Sequence, residues 1–195
     1  MRLIELSLTV ALGMTLAPLM PEAAGQSRFL TAPEIISANA HVAGSSGSVG
    51  TRVTMKIDRY SPEADRKAVA DALKHGGYSG FLTALRKAPS VGTVTVADQT
   101  VDIRWAREER VGTGRSIVLI TDKPVYFVGG GGVAAKPREG YEVAVLQFSM
   151  DYSGLGFKGT MAAAARVKPG GPTGVQLEDY AEKPVELQAL TRTIQ

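Results

Sequence analysis

Residues 140–168 read GYEVAVLQFSMDYSGLGFKGTMAAAARVK, and this stretch decides the fold. From residue 157 onwards, the side chains alternate at a period of two, the spacing that turns successive residues of a β-strand toward opposite faces. The arm before it, residues 141–150, begins with apolar side chains on both faces of the predicted strand. Toward its end, apolar side chains remain on one face only. The segment between the arms, DYSGLG, holds two glycines that accept positive φ angles without a steric penalty. The stretch therefore predicts one long β-hairpin, which other strands or helices must cover.

Further strands are predicted before and after this hairpin. Runs of β-branched or alternating residues recur between turn residues such as glycine and proline. The predicted strands are residues 39–43, 51–60, 92–97, 101–107, 115–121, 125–128, 175–180 and 185–193. Residues 44–50 are expected to form a flexible loop, and residues 108–114 a charged turn.

One segment between the strands predicts a pair of helices. Ser61 can cap the first free amide groups, and Pro62 fits the first turn of a helix that runs to about His75. The two glycines that follow are expected to stop this helix, and a second, shorter helix is expected over residues 80–87. The predicted fold class is therefore α+β: a mainly antiparallel β-sheet, as a barrel or a sandwich, with one helical pair inserted after an early strand.

The first residues have the pattern of a signal peptide. Arg2 supplies a positive charge, and residues 6–20 form a mostly apolar run without a charged side chain. Small residues then precede an expected cleavage before Gln26. An uncleaved anchor is the alternative, but the run is shorter than the roughly 20 apolar residues that a spanning helix needs. The sequence predicts a signal peptide at residues 1–25 and an exported, periplasmic or secreted, single β-rich domain at residues 26–195.

The composition narrows the class of protein further. The chain has 195 residues and no cysteine, so it can form no disulfide and no thiolate metal site, and it has no thiol nucleophile. For an exported protein this composition indicates a bacterial periplasm or cell exterior. The 22 basic and 19 acidic residues form no basic run, so nucleic acid is not expected as a partner. An unknown small ligand or a protein partner is expected instead, with no transmembrane span in the mature chain.

Candidates for catalysis and metal binding are few. The two histidines, His41 and His75, match no metal-ligand spacing with the carboxylates. Residues 44–48 have the composition of a serine nucleophile elbow but lack its second glycine and its strand–turn–helix context. The glycines at 129–132 lack the lysine and hydroxyl residue of a phosphate-binding loop. No catalytic, metal-binding or cofactor-binding residue is predicted, and no cofactor.

Paired carboxylates and the single tryptophan offer weaker candidates. Glu108 and Glu109 are adjacent, so in a strand they point to opposite faces and cannot share a proton. The same holds for Glu178 and Asp179. Trp105 lies between arginines and could stack on a sugar or base, but its inward-phase position favours core packing.

Three segments resemble a family of exported bacterial proteins with uncharacterised activity. They are IDRYSPEADR at residues 57–66, IVLITDKP at residues 117–124 and LEDYAEKPV at residues 177–185. The resemblance covers most of the mature chain. It implies export and a single domain, and it brings no activity, cofactor or catalytic residue.

Three functions stay open at this point. The first is non-enzymatic binding of a small or apolar ligand or a protein partner; Gly159, Ala163 and Ala165 would then leave room for a dry cavity inside a barrel. The second is an exported hydrolase, in which His41 or His75 would meet a carboxylate and a hydroxyl in a cleft. The third is an envelope structural or assembly component, with an exposed apolar patch or an open sheet edge.

Overall fold

A computed structural model of the protein describes residues 32–44, 47–125 and 138–194. The expected signal peptide, the glycine-rich segment at residues 129–132 and nearly all of the strand expected just before it lie outside these residues. In the described part of the chain, no helix combines the length and the apolar composition that crossing a bilayer requires.

The described chain forms nine strands and one helix. In chain order they are β1 (Glu34–Gly44), β2 (Gly47–Ile57), α1 (Glu63–Lys87), β3 (Gly92–Val96), β4 (Gln99–Val111), β5 (Gly114–Thr121), β6 (Val143–Asp151), β7 (Gly156–Pro169), β8 (Val175–Tyr180) and β9 (Val185–Ile194). All pairs of neighbouring strands are antiparallel, which confirms the predicted mainly antiparallel, β-rich class.

Eight of these strands close into a barrel. β1 to β7 pair in chain order, β7 also pairs with β9, and β9 returns to β1. The predicted central hairpin is β6 and β7, whose register runs from Val143 opposite Ala165 to Met150 opposite Gly156. β8 lies outside the circle, because it pairs with β7 beyond the point where β9 leaves that strand. Closure pairs both edges of each of the eight strands, which is how a barrel avoids open sheet edges.

The predicted helical pair is wrong, because α1 is one kinked helix of 25 residues. Gly77 has φ 62° and ψ −160°, and this single residue bends the helix without ending it. The predicted cap is wrong as well. Pro62 holds the N-cap position without a side-chain cap bond, while Ser61 Oγ accepts a hydrogen bond from the Ala106 amide, 2.9 Å away on β4. Ser61 therefore ties the start of α1 to the barrel.

The predicted charged turn at residues 108–114 is also wrong. β4 continues to Val111, which pairs with Gly114 at the start of β5. The charged residues are accommodated in the strand because they find partners on both faces, Glu108 inside the barrel and Glu109 outside. The loop expected at residues 44–50 is shorter for a related reason, since β1 extends to Gly44 and β2 begins at Gly47.

Two apolar clusters hold the fold together. The first fills the barrel and draws buried side chains from β1 to β7 and β9, including Ile36, Met55, Leu119 and Phe148. The second lies outside the barrel, where α1 packs on the outer face of β4 to β7. Its centre comprises Leu73, Phe81, Trp105, Val143 and Ala165. The barrel is therefore apolar on both faces along this side.

Candidate ligand-binding groove

The structure places the two histidines in unrelated surroundings. His75 lies on α1, where its exposed ring Nδ1 is 2.8 Å from the backbone oxygen of Asp71, one turn earlier. His41 lies on β1, opposite Gly50 of β2 and Glu186 of β9. Among the described residues, no three His, Asp or Glu side chains are grouped so that they could hold a metal ion.

The paired carboxylates point to opposite faces, as predicted for Glu108 and Glu109. Glu108 faces the barrel interior and its Oε1 lies 3.1 Å from Arg115 Nη1. Glu109 faces outward and its Oε2 lies 3.3 Å from Arg107 Nη2. Trp105 is 1 % exposed and belongs to the cluster under α1, so it is a core residue and offers no stacking platform.

Two of the small residues of β7, Gly159 and Ala165, do not hollow out the barrel at their own positions. A Cβ on Gly159 would lie 2.7 Å from Phe148 Cβ and 3.1 Å from Leu187 Cβ, so those side chains already occupy the space. Ala165 faces the outer cluster under α1 and not the interior. The room that these residues provide is used for close packing between strands.

A buried ion cluster closes one end of the barrel. Glu34, the first residue of β1, accepts hydrogen bonds from Arg115 Nη1 at 3.0 Å and Nη2 at 2.7 Å. Arg192 Nε lies 2.6 Å from Glu34 Oε2, and the Tyr60 hydroxyl donates to Glu34 Oε1 at 2.5 Å. Arg115 Nη1 also donates a hydrogen bond to a second carboxylate, that of Glu108. Two carboxylates and two guanidinium groups therefore balance each other in a nearly water-free site.

The cluster shifts its two carboxyl groups in opposite directions. Burial alone would raise the pKa of Glu34, but hydrogen bonds from Arg115 and Tyr60 and the charges of Arg115 and Arg192 outweigh burial and lower the pKa. Burial dominates for Glu108 and raises its pKa, although Arg115 opposes the shift. Glu108 Oε2 is buried and finds no hydrogen-bond partner in the described part of the chain, which fits a carboxyl group that is poorly stabilised as an anion.

Perturbed carboxyl groups often mark functional sites, but this cluster is closed to ligands. The side chains of Glu34 and Arg115 are 0 % and 1 % exposed, and that of Glu108 is 4 % exposed. A substrate would have to open the barrel end to reach them. The arrangement instead joins the beginning of β1, the end of β9 and the β4–β5 hairpin.

A groove on the outside of the barrel is the better candidate site. Its floor is a row of residues paired across three neighbouring strands. Ile120 of β5 lies opposite Val145 of β6, and Val145 lies opposite Ala162 of β7. These residues alternate with interior ones, so their side chains share the outer face. The residues that line the groove beside this row are Glu109, Val111, Ser116, Val118, Gln147, Thr160, Val167, Gly171, Pro172, Thr173, Val175, Gln176, Leu177 and Pro184.

The groove is formed because the outer face is covered only in part. α1 covers one portion of it, and β8 with the turn before it forms an opposing wall through Val175 and Leu177. The space between has a volume of about 520 Å³, within the range of small-molecule sites. A more open depression of about 570 Å³ lies beside it and shares Gln147 and Thr160 as lining residues. The groove can hold an apolar body against the floor and offers a few polar groups at its margins.

The groove was not predicted, although the sequence carries one signal for it. The first arm of the central hairpin is apolar on both faces at residues 143–146, which indicates a strand covered from both sides. The wall opposite the floor comes from β8, which is reached only after a turn of the chain. No sequence spacing announces that contact.

Comparisons with protein-family models, with curated proteins and with solved structures found no match to this chain. The functional interpretation therefore rests on the geometry of the groove.

Proposed function

We propose that the protein is a non-enzymatic binding protein for a small, largely apolar molecule held in the groove outside the barrel. The observation that supports this proposal is the apolar floor of Ile120, Val145 and Ala162 facing the wall formed by β8. The floor residues themselves are only 1–9 % exposed, so the apolar surface still open to water belongs to Val111, Val118 and Leu177 beside them. A ligand that covers this surface gains roughly 25 cal/mol per Å². The polar groups at the margins would orient the ligand.

The groove favours binding over hydrolysis. Its lining includes the hydroxyls of Ser116 and Thr160 and the carboxylate of Glu109, but neither His41 nor His75 belongs to it. A serine nucleophile needs a neighbouring base to remove its proton, and no histidine stands there to do so. The hydrolase hypothesis therefore gains no support from this site.

Export and assembly into an envelope structure stay predictions. The residues that would carry a signal peptide lie outside those described. Among the described strands, β8 has one unpaired edge, which is six residues long and carries Glu178 and Asp179; short, charged strands of this kind resist pairing with another chain. This edge gives no reason to prefer an assembly role over ligand binding.

Nile red, an uncharged apolar dye, tests the proposal by fluorescence titration. We expect saturable binding to the mature protein and at least a tenfold weaker affinity for Thr160→Trp, because the new ring would occupy the groove beside Gln147. Thr193→Trp is the matched control, since Thr193 is exposed on β9 and does not line the groove. Unchanged binding to Thr160→Trp, or no saturable binding at all, would contradict the proposal.

A further inference from the structure

A second, polar pocket adjoins the groove. It has a volume of about 300 Å³ and shares Pro172 and Thr173 with the groove, so the turn before β8 forms a common wall. The other residues that line it are Glu63, Arg66, Lys67, Ala70, Arg107 and Gly174. The two spaces therefore lie next to each other at this turn, which is the placement that a ligand spanning both would need.

The polar pocket carries three cations against one carboxylate among the described residues that line it. Arg107 Nη1 is buried and has no hydrogen-bond partner among the described residues, while Nη2 lies 3.3 Å from Glu109 Oε2. An unpaired buried guanidinium donor is costly, and an anionic acceptor would relieve that cost. The Arg107 side chain also lines the pocket, although Nη1 itself is buried.

The remaining cations stand on the first turns of α1. Lys67 is exposed and its Nζ lies 2.5 Å from Asp71 Oδ2, in a surface ion pair of low strength that leaves the ammonium group free to bind a second anion. Arg66 Nη1 donates to the Ser61 carbonyl oxygen, and within the described chain Arg66 pairs with no carboxylate. The amino-terminal end of α1 adds the positive end of its dipole to the same region.

We propose that the ligand is an anionic amphiphile with a single alkyl chain, such as a fatty-acid carboxylate. Its chain lies on the floor of the groove and its head group reaches Arg107 and Lys67. This inference rests on the proposed function and adds the chemical class of the ligand. The turn at Pro172 and Thr173 supports this inference, because these two residues line both the apolar groove and the cationic pocket.

Calorimetric titration with three compounds tests the inference: decanoate, 1-decanol and acetate. Decanoate has both the chain and the anion, decanol has the chain alone and acetate has the anion alone. We expect decanoate to bind at least tenfold more tightly than decanol, and acetate not to bind measurably. Arg107→Gln and Lys67→Gln should each lower decanoate affinity about tenfold and leave decanol affinity unchanged.

Lys74→Gln is the matched control, since Lys74 is an exposed lysine on the same helix and does not line the pocket. Lys67 is also exposed, so Lys67→Gln should fold normally, and a loss of decanoate affinity in this variant cannot be explained by misfolding. If decanoate and decanol bind with equal affinity and neither variant changes it, the inference that the ligand carries an anionic head group is wrong. Binding of apolar molecules in the groove would then still be supported. Acetate binding as tightly as decanoate would overturn the amphiphile in favour of a free-anion site. Failure of both decanoate and decanol to bind would overturn the proposed function itself.

Discussion

At the scale of single residues, the buried ion cluster shows how context sets the behaviour of a side chain. Glu34 and Arg115 are separated by 81 positions, and their pairing follows from barrel closure, which no local pattern reports. Ser61 illustrates the same limit, since its sequence context is that of a helix cap while its hydroxyl accepts a bond from an amide 45 positions away. The opposite orientation of Glu108 and Glu109 follows from the period of a strand, but the sequence predicted a turn here and did not show that β4 reaches these two residues.

The two carboxyl groups of the cluster predict how stability depends on pH. The pKa of Glu108 is raised above its ordinary value of 4.5, so between these two values the folded state binds the proton more readily and stability rises as the pH falls. The pKa of Glu34 is lowered from 4.5, so its contribution is present above 4.5 and is lost as the pH falls toward the folded value. Urea unfolding over a pH series should therefore show a maximum in mildly acidic solution.

Glu108→Gln isolates the contribution of that carboxyl group. In this variant the rise in stability on mild acidification should disappear, while the loss at lower pH, which belongs to Glu34, should remain. Glu182→Gln is the control, because Glu182 is exposed outside the cluster, and its profile should match that of the unaltered protein. If Glu108→Gln keeps the full rise in stability on mild acidification, another group causes that rise and the prediction is wrong.

At the scale of elements, strand positions were largely predictable, and the helical segment was too, except that it forms one helix where two were predicted. β8 and the central hairpin follow alternation that the sequence displays openly. The adjacent glycines of α1 were misleading, since such a pair normally ends a helix. In the structure only Gly77 leaves helical geometry, and the helix resumes because both of its halves bury apolar residues against β4 to β7.

Two alanine substitutions test the kinked helix. Gly76→Ala should stabilise the protein by about 0.5–1 kcal/mol, because Gly76 lies within α1 at ordinary φ and an added Cβ meets no atom within 4 Å. Gly77→Ala should destabilise it by about 1–3 kcal/mol, because φ 62° with ψ −160° is a conformation that only glycine adopts readily. Thermal unfolding of the two variants provides the comparison. Equal shifts in the same direction would contradict a kink located at Gly77.

At the scale of the whole molecule, the barrel and its outer layer have separate roles. The interior is filled by apolar side chains and closed by the ion cluster at one end, so it serves stability. α1 and β8 cover the outer face incompletely, and the uncovered part forms the groove. The sequence predicted strands that fold back on one another, but it could not predict which face would stay open. That depends on where β8 docks after leaving the circle.

The most direct test of the central claim is to locate a bound ligand with isotope-filtered nuclear Overhauser spectroscopy on the decanoate complex. We expect contacts from the decanoate chain to the methyl groups of Val145 and Ala162, which face the groove. No contacts are expected to Leu146 and Met161, which are their sequence neighbours on the interior face. Contacts to Leu146 and Met161 without contacts to Val145 and Ala162 would place the ligand inside the barrel and contradict the claim.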